Sequence, residues 1–332
     1  MNATGTARLR EAPMYEEFYG FVQSPFTLAA DPRFLYLSGS HDEALRLLLQ
    51  SIRRKEGFIV LTGEIGTGKT TLCRALLEQL DKTTFTSLIL NPFLSVEELL
   101  REILLDFGVV SREAVRSGRI ASATKHELAS TLHDFLRSIV PIRGSGVLII
   151  DEAQHLSPQV LEELRVLSNM ETGESKLLQI VLVGQLNLLD VLAEADMRQL
   201  DQRIALRAML KPLTREEVEA YIAHRVSVAR GSSSVSFGGP AIDTVYAISG
   251  GVPRVINLLC DRALMLGAQE GAAVITPDLI REAASALTLK VPAVATIWWR
   301  RMPWWVIVLV VVLLLLAAVL LFAPFDPTAL PF

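Results

Sequence analysis

A run of nine residues in the first quarter of the chain combines three glycines, three threonines and one lysine. It reads Gly63, Glu64, Ile65, Gly66, Thr67, Gly68, Lys69, Thr70 and Thr71, which matches the pattern G-x-x-x-x-G-K-[ST]. Glycines let successive backbone amides turn toward a phosphate group, and a helix that starts there offers its positive end to the same anion. Lys69 can then reach the β- and γ-phosphates, and the Thr70 hydroxyl can bind Mg²⁺. The run, hereafter the P-loop (residues 63–71), predicts a site for ATP and Mg²⁺.

Polar side chains also follow two apolar runs further along the chain. Asp151 and Glu152 come directly after the run 147–150, at the end of a predicted strand where open α/β sheets bind ligands. We expect Asp151 to hold Mg²⁺, directly or through water, and Glu152 to orient and polarise the attacking water. The run 178–183 is followed by Gly184 and Gln185. Gln185 is either a sensor of the water or γ-phosphate or an ordinary turn residue.

Short apolar runs alternate with helical patterns through the part of the chain that carries these motifs. The apolar runs are 58–61, 87–90, 147–150 and 178–183. The helical patterns are 41–54, 70–80, 96–107, 125–140 and 158–167. Strands that alternate with helices predict an α/β domain with a doubly wound parallel sheet, of the P-loop NTPase kind.

The pattern changes after residue 212, where the apolar runs stop. Helical stretches follow at 215–230, 241–249 and 255–269, with a shorter one after Thr276. These stretches predict a small all-helical domain, hereafter the lid (residues 212–286). Three helix starts carry a capping box, in which a hydroxyl and a glutamate satisfy first-turn amides. The pairs are Ser95 with Glu98, Thr124 with Glu127, and Thr214 with Glu217.

The segment 304–322 contains no charge, proline or glycine, and its length suffices to cross a bilayer. Four tryptophans and the pair Arg300 and Arg301 lie at its N-terminal end, so the positive-inside rule places the preceding residues in the cytoplasm. We expect a single transmembrane helix, with the C-terminus on the far side of the membrane. The predicted divisions are 1–56 (arm and lead-in helix), 57–211 (P-loop domain), 212–286 (lid), 287–303 (juxtamembrane linker), 304–322 (membrane helix) and 323–332 (periplasmic tail).

Composition limits the remaining possibilities. The chain has 32 Lys and Arg residues against 36 Asp and Glu residues, a formal net charge of −4, which argues against a nucleic-acid partner. Cys73 and Cys260 both lie in helical patterns, and we expect them to be reduced and buried. The N-terminus has no apolar run behind its arginines, so no cleaved signal peptide is predicted.

Several motifs taken together resemble those of the AAA+ ATPases, and more narrowly the ExeA/GspA type of secretion-associated ATPase. The resemblance covers roughly residues 14–285. It is carried by residues 19–21, 24–26, 63–71, 151–154, 167–169, 183–185, 200–203, 250–254 and 257–258. It implies an ATP hydrolase that forms a homo-oligomer, either as a ring or as a nucleotide-dependent assembly.

The resemblance also implies roles for individual residues. An arginine near the end of the α/β domain would enter a neighbouring subunit's site, and Arg203 is the first candidate with Arg198 the second. Arg254 would act as a second sensor that couples the position of the lid to the γ-phosphate. The aromatic stretch 18–26 would either line the adenine pocket or serve as plain packing.

The partners implied by the resemblance are an inner membrane and a protein of an envelope complex. Resembling proteins commonly continue past the membrane helix into a large periplasmic part that engages peptidoglycan, whereas 323–332 is short, which argues against direct peptidoglycan binding. We expect a membrane-anchored ATPase that drives or regulates assembly of a secretion, pilus or exopolysaccharide-export complex. Two alternatives remain open, a slow nucleotide-dependent recruitment switch and a DNA-binding ATPase of the transposition type.

Overall fold

The computed structural model divides the chain into two units, Met1–Lys290 and Val291–Phe332. Residues 15–113, 123–173, 175–229, 231 and 235–289 are described, and all of them belong to the first unit. Within these ranges, no helix combines the length and the apolar character needed to cross a bilayer. The predicted membrane helix 304–322 and tail 323–332, and the predicted linker from residue 290 onward, lie outside the described residues.

A parallel sheet forms the centre of the P-loop domain. The described strands are β1 (Phe58–Gly63), β2 (Thr84–Ile89), β3 (Ser145–Ile150), β4 (Glu171–Thr172), β5 (Ser175–Lys176), β6 (Leu178–Gly184), β7 (Ile204–Leu210), β8 (Ser236–Phe237) and β9 (Val274–Ile275). Five of them pair in parallel in the order β2-β3-β6-β1-β7. β1, β3 and β6 are buried along their whole length, as expected of parallel strands that are covered on both faces. The predicted α/β class with a parallel sheet is confirmed.

Two strands of the five-stranded sheet differ from the apolar runs in the sequence, and β8 and β9 form a short parallel pair within the lid, which the sequence predicted to be all-helical. β7 has no counterpart among the four predicted runs. It lies at the edge of the sheet, where exposed Ala205 and Arg207 alternate with partly covered neighbours and interrupt the apolar pattern. β2 begins at Thr84, three residues ahead of the predicted run 87–90. Its first three residues are only half-buried, so they do not extend the apolar run.

Nine of the twelve α-helices in the described ranges agree with predicted stretches to within a few residues at their ends, whereas the short helices at 15–19, 188–193 and 198–201 have no predicted counterpart. The twelve are α1 (Tyr15–Tyr19), α2 (Gly39–Arg53), α3 (Lys69–Glu78), α4 (Val96–Asp106), α5 (Lys125–Ser138), α6 (Pro158–Leu167), α7 (Leu188–Ala193), α8 (Arg198–Asp201), α9 (Arg215–Val228), α10 (Gly239–Ser249), α11 (Pro253–Glu270) and α12 (Pro277–Ala286). All three predicted capping boxes are present, at the starts of α4, α5 and α9.

Helices cover both faces of the sheet. Alternate side chains of a strand point to opposite faces. Val147 and Ile149 of β3 therefore pack in the core with Leu72 of α3, whereas Leu148 and Ile150 pack in the core formed with α4, α5 and α6. Cys73 of α3 and Cys260 of α11 are buried free thiols, in agreement with the prediction.

The lid helices share one core with the aromatic segment at the start of the described chain (residues 15–34). Tyr19, Phe21 and Phe26 of this segment are 3%, 8% and 2% exposed, and they cluster with residues of α9 to α12. Phe26 lies edge-on to Phe237, with ring centroids 6.0 Å apart. Chain segments from both ends of the described sequence therefore build the core of the lid.

Candidate nucleotide-binding site

A cavity of about 340 Å³ opens beside the P-loop. Its lining includes residues 65–71 of the P-loop, residues 27–31 and 34–36, Glu152, and Pro253, Arg254 and Asn257 of the lid. The stretch 18–26, for which the sequence left open an adenine pocket or plain packing, is not among these lining residues. Its aromatic side chains pack into the lid core instead, with the exception of Phe18, which is exposed. Residues 27–31 and 34–36, which follow that stretch, line the cavity.

The P-loop connects the end of β1 to the start of α3. Gly66 and Gly68 have φ angles of +82° and +99°, in the left-handed region that strongly favours glycine. A Cβ at Gly66 would lie 2.6 Å from the Cβ of Arg254. Glycine at residue 66 is thus required both by the backbone conformation and by the close approach of the lid.

The amino group of Lys69 lies inside the P-loop. Lys69 is 6% exposed, and its Nζ donates hydrogen bonds to the carbonyl oxygens of Gly63 and Glu64, each at 3.0 Å. Burial lowers the pKa of Lys69, and the nearby charges of Glu152 and Asp151 oppose that shift. The carbonyl oxygens hold the amino group in the loop that the sequence predicts to surround the phosphates.

Two oxygen-bearing side chains meet where α3 and β3 converge. Thr70 Oγ1 donates to Asp151 Oδ2 at 2.5 Å, and the backbone N–H of Glu152 donates to Asp151 Oδ1 at 2.9 Å. Hydroxyl and carboxylate oxygens are ligands that suit Mg²⁺, which typically takes one or two carboxylates together with substrate phosphates. The pair therefore fits the predicted metal site beside the P-loop.

The carboxylate of Glu152 is held by two glutamines. Gln154 Nε2 donates to Glu152 Oε2 at 2.6 Å, and Gln185 Nε2 donates to the same oxygen at 3.4 Å. The backbone N–H of Gln185 donates to Gln154 Oε1 at 3.1 Å, which closes the network. Glu152 itself has φ of 52°, an uncommon conformation for a residue other than glycine. The ends of β3 and β6 thus place one glutamate and two amides together.

Gln154 was not identified from the sequence as a site residue. It is 8% exposed, and a Cβ at Gly184 would lie 2.6 Å from its Oε1. The available signal was its place in the motif that starts at Asp151, two residues beyond the glutamate. Its contact with Gln185 depends on the pairing of β3 with β6, which the sequence alone does not give.

The predicted arginines occupy different places. Arg254 lines the cavity, and its backbone N–H donates to the carbonyl oxygen of Gly66 at 3.2 Å. Arg203 is exposed and lies outside the cavity lining, where its Nη1 donates to Asn169 Oδ1 at 2.5 Å and to Ser168 Oγ at 3.2 Å. Arg198, the other candidate, is exposed on α8. The fold therefore brings Arg254, but not Arg203, to the chain's own P-loop.

A buried arginine joins the lid to the segment that lines the cavity. Arg225 is 5% exposed and donates to the carbonyl oxygens of Pro25 at 2.6 Å and Thr27 at 2.8 Å, and to the Tyr221 hydroxyl at 2.9 Å. Its guanidinium carbon lies 4.8 Å from the centroid of the Phe34 ring. No local pattern marks Arg225, because the two carbonyl oxygens that it binds lie about 200 residues away along the chain.

Comparisons with known proteins agree with this geometry. A family model described as an AAA domain matches residues 52–192. General secretion pathway protein A of Aeromonas hydrophila is 42% identical over 259 residues, which are 78% of this chain and 46% of that protein. The ATP-dependent target DNA activator B of Escherichia phage Mu is 28% identical over 169 residues, which are 50% of this chain and 48% of that protein. The chain thus spans about half the length of these curated relatives.

The solved structure of the Aeropyrum pernix ORC2 protein resembles this fold with a TM-score of 0.61 at 16% identity, covering 79% of this chain and 71% of that chain. At this identity the likeness concerns the fold alone. The predicted resemblance and the predicted pairing of ATP with Mg²⁺ are confirmed. The chain therefore belongs to the AAA+ P-loop ATPases, which bind ATP with Mg²⁺, and within them to the general secretion pathway protein A type.

Proposed function

We propose that the chain is a membrane-anchored, self-assembling ATPase that drives or regulates assembly of a bacterial envelope complex for secretion, pilus formation or exopolysaccharide export. The observation that carries its hydrolytic mechanism is the position of Glu152, whose carboxylate is fixed by two glutamines beside the P-loop. The envelope role is supported by the similarity to general secretion pathway protein A of Aeromonas hydrophila.

In the proposed reaction, water attacks the γ-phosphorus of ATP in line with the bond to the β-γ bridging oxygen, that bond breaks, and ADP and phosphate leave. Lys69 and the P-loop amides bind the phosphates. Thr70 and Asp151 would hold Mg²⁺, whose charge neutralises phosphate oxygens when it is bound. Gln154 and Gln185 both donate to Oε2 of Glu152, so we assign Oε1 to the attacking water.

The lid would report on the nucleotide through Arg254. Its backbone is tied to the Gly66 carbonyl, and its side chain lines the cavity that we assign to ATP. A cation at this place stabilises a lid position in which the γ-phosphate is present. Loss of that phosphate would weaken the attraction and release the lid, which is the proposed route from hydrolysis to movement.

Arg203 would act on the site of a neighbouring copy. Its guanidinium is anchored through Nη1 at the C-terminal end of α6, away from the chain's own cavity. An anchored and exposed guanidinium can approach a neighbouring γ-phosphate and stabilise the charge of the transferring group. Gln185 would serve as the sensor at the strand end, because it contacts Glu152 directly. These roles make a complete site depend on two copies.

The membrane part of the proposal rests on the segment 304–322. Its apolar composition and its flanking Arg300 and Arg301 favour an inner-membrane helix, with the P-loop domain in the cytoplasm and the residues beyond the helix in the periplasm. An anchor of this kind would keep the ATPase beside the envelope complex that it serves.

The test is steady-state ATP hydrolysis by the full chain, kept in a mild non-ionic detergent, as a function of protein concentration. We expect a specific rate that rises with concentration and disappears in Glu152→Gln, because a complete site needs two copies. Glu152→Gln should still bind ATP. A flat, negligible rate despite tight ATP binding would contradict the motor and favour the slow recruitment switch.

A second candidate function is ATP-dependent DNA binding, favoured by the similarity to the target DNA activator B of phage Mu. Binding of this kind rests on phosphate contacts and weakens steeply as salt rises. Titration of the full chain with a plain DNA duplex at low and high salt, with ATP present, decides between the two. Absence of binding at low salt would exclude the DNA function.

A further inference from the structure

A buried histidine contacts the P-loop although it lies outside the motifs that define it. His41 belongs to the first turn of α2 and is 2% exposed. Its Nδ1 lies 2.6 Å from Ser38 Oγ, and its Nε2 lies 2.9 Å from the backbone oxygen of Thr67. An added Cβ at Gly68 would lie 3.2 Å from the same Nε2. The imidazole thus lies between the start of α2 and the turn of the P-loop that precedes Lys69.

These partners determine which ring nitrogen carries the proton. A carbonyl oxygen can only accept, so Nε2 of His41 donates to Thr67. Burial lowers the pKa of His41, which favours the neutral ring, although the bond to Thr67 opposes the shift. In the neutral ring Nδ1 accepts, and the Ser38 hydroxyl is the donor. The chain of hydrogen bonds therefore runs in one direction, from Ser38 through His41 to Thr67.

Holding one carbonyl of the loop also orients the next amide. A trans peptide is planar, so its C=O and N–H groups point in opposite directions. Because the Thr67 oxygen faces His41, the N–H of Gly68 points away from His41. Gly68 lines the cavity and directly precedes Lys69. Amides at such a turn, just before a helix, are the donors that bind phosphate oxygens.

The other end of this chain of hydrogen bonds lies at the two connections between the lid and the sheet. Residues 35–38 lead into α2, and residues 211–214 lead from β7 to α9. The two connections are tied together at the start of α2, because Gly39 N donates to Glu217 Oε1 at 2.9 Å and Lys211 N donates to Ser40 Oγ at 3.3 Å. Ser38 and His41 therefore connect this junction to the Thr67 carbonyl of the P-loop.

We propose that His41 is a positioning residue for the nucleotide: it holds the Thr67 carbonyl so that the Gly68 amide faces a phosphate, and it links that amide to the connections of the lid. This inference rests on the nucleotide-binding part of the proposed function. It does not require that hydrolysis serves an envelope complex.

The test is the equilibrium affinity of the full chain for ADP and for ATP, each with Mg²⁺. His41→Ala removes the donor to Thr67, whereas His41→Gln retains an N–H that can reach the same oxygen. His126→Ala is the matched control, because His126 is an exposed histidine on α5. We expect the Kd of His41→Ala to rise about tenfold, equivalent to ~1.4 kcal/mol. His41→Gln should restore the affinity to within about threefold, and His126→Ala should leave it unchanged.

Thermal unfolding without nucleotide separates positioning from general stability. If His41→Ala is folded and binds both nucleotides as tightly as the unaltered chain, the positioning role is wrong. The same holds if folded His41→Gln binds as weakly as folded His41→Ala. Should His41→Ala fail to fold, Ser38→Ala decides. It keeps the imidazole but removes the donor to Nδ1, and we expect a Kd about threefold higher; an unchanged Kd would overturn the proposal. Because binding is measured rather than turnover, failure of the envelope function would not alter this result.

Discussion

Replacement of Gln154 by alanine should slow ATP hydrolysis while leaving nucleotide binding nearly unchanged. The amide of Gln154 donates to Glu152 Oε2 at 2.6 Å and accepts from the Gln185 backbone at 3.1 Å, so it fixes the carboxylate that we assign to the attacking water. A hydrogen bond to a charged group contributes about 1.5–3 kcal/mol. If this contribution is lost from the transition state, kcat should fall by about 10- to 160-fold, since 1.36 kcal/mol is tenfold in rate.

The assay is kcat together with the Kd for ATP, measured for three variants of the full chain. Gln154→Glu keeps the shape but replaces the donor by an acceptor that repels Glu152, so it should be slower than Gln154→Ala. Gln185→Ala should be less severe, because its side-chain bond to Glu152 is 3.4 Å long. The reasoning is refuted if Gln154→Ala turns over within about twofold of the unaltered chain, or if its ATP affinity falls in proportion to kcat.

Three further changes test other parts of the structure. Lys69→Ala should abolish ATP binding, as measured by equilibrium titration, because it removes the buried ammonium of the P-loop; tight binding would show that the phosphates lie elsewhere. Gly251→Ala should lower the free energy of unfolding by more than about 2 kcal/mol in denaturant titration, because its Cβ would lie 2.0 Å from the Leu213 carbonyl oxygen at φ of +79°. Unchanged stability would mean that this junction relaxes easily. Arg203→Ala should stop turnover but retain ATP binding, and mixing it with Glu152→Gln should restore part of the rate by completing sites between copies. Normal turnover by Arg203→Ala alone would refute its action in trans.

Local patterns were sufficient to predict much of the fold and the centre of the site. The P-loop and the Asp151-Glu152 pair each follow a strand whose burial is evident from a continuous apolar run. Capping boxes such as Ser95 with Glu98 involve residues only three positions apart, so their geometry follows from the sequence. β7 was not predicted, because it is an edge strand in which every second side chain, including that of Arg207, is exposed. The exposed positions interrupt the apolar run that would have marked a strand.

The features that sequence reasoning missed depend on contacts between distant segments. Gln154 acquires its role from the neighbouring strand, and His41 acquires its role from a loop 26 residues further along the chain. The burial of Phe21 and Phe26 in the lid, rather than beside the nucleotide cavity, depends on helices near the other end of the described chain. Aromatic composition indicates that such residues need a core but does not say which core.

The shared core of the lid and the aromatic segment has a consequence for how the protein is made. During synthesis, Pro25 emerges 200 residues before Arg225, the side chain that anchors it, and Tyr15 emerges 246 residues before Asp261. The whole parallel sheet is therefore made while the aromatic segment still lacks its partners. The sheet can fold as a unit in that interval, whereas the lid must wait for almost the entire described chain. Until then, side chains such as Phe26 remain available to chaperones, and a ribosome that stalls before α11 leaves a chain whose aromatic segment has only part of its core to enter.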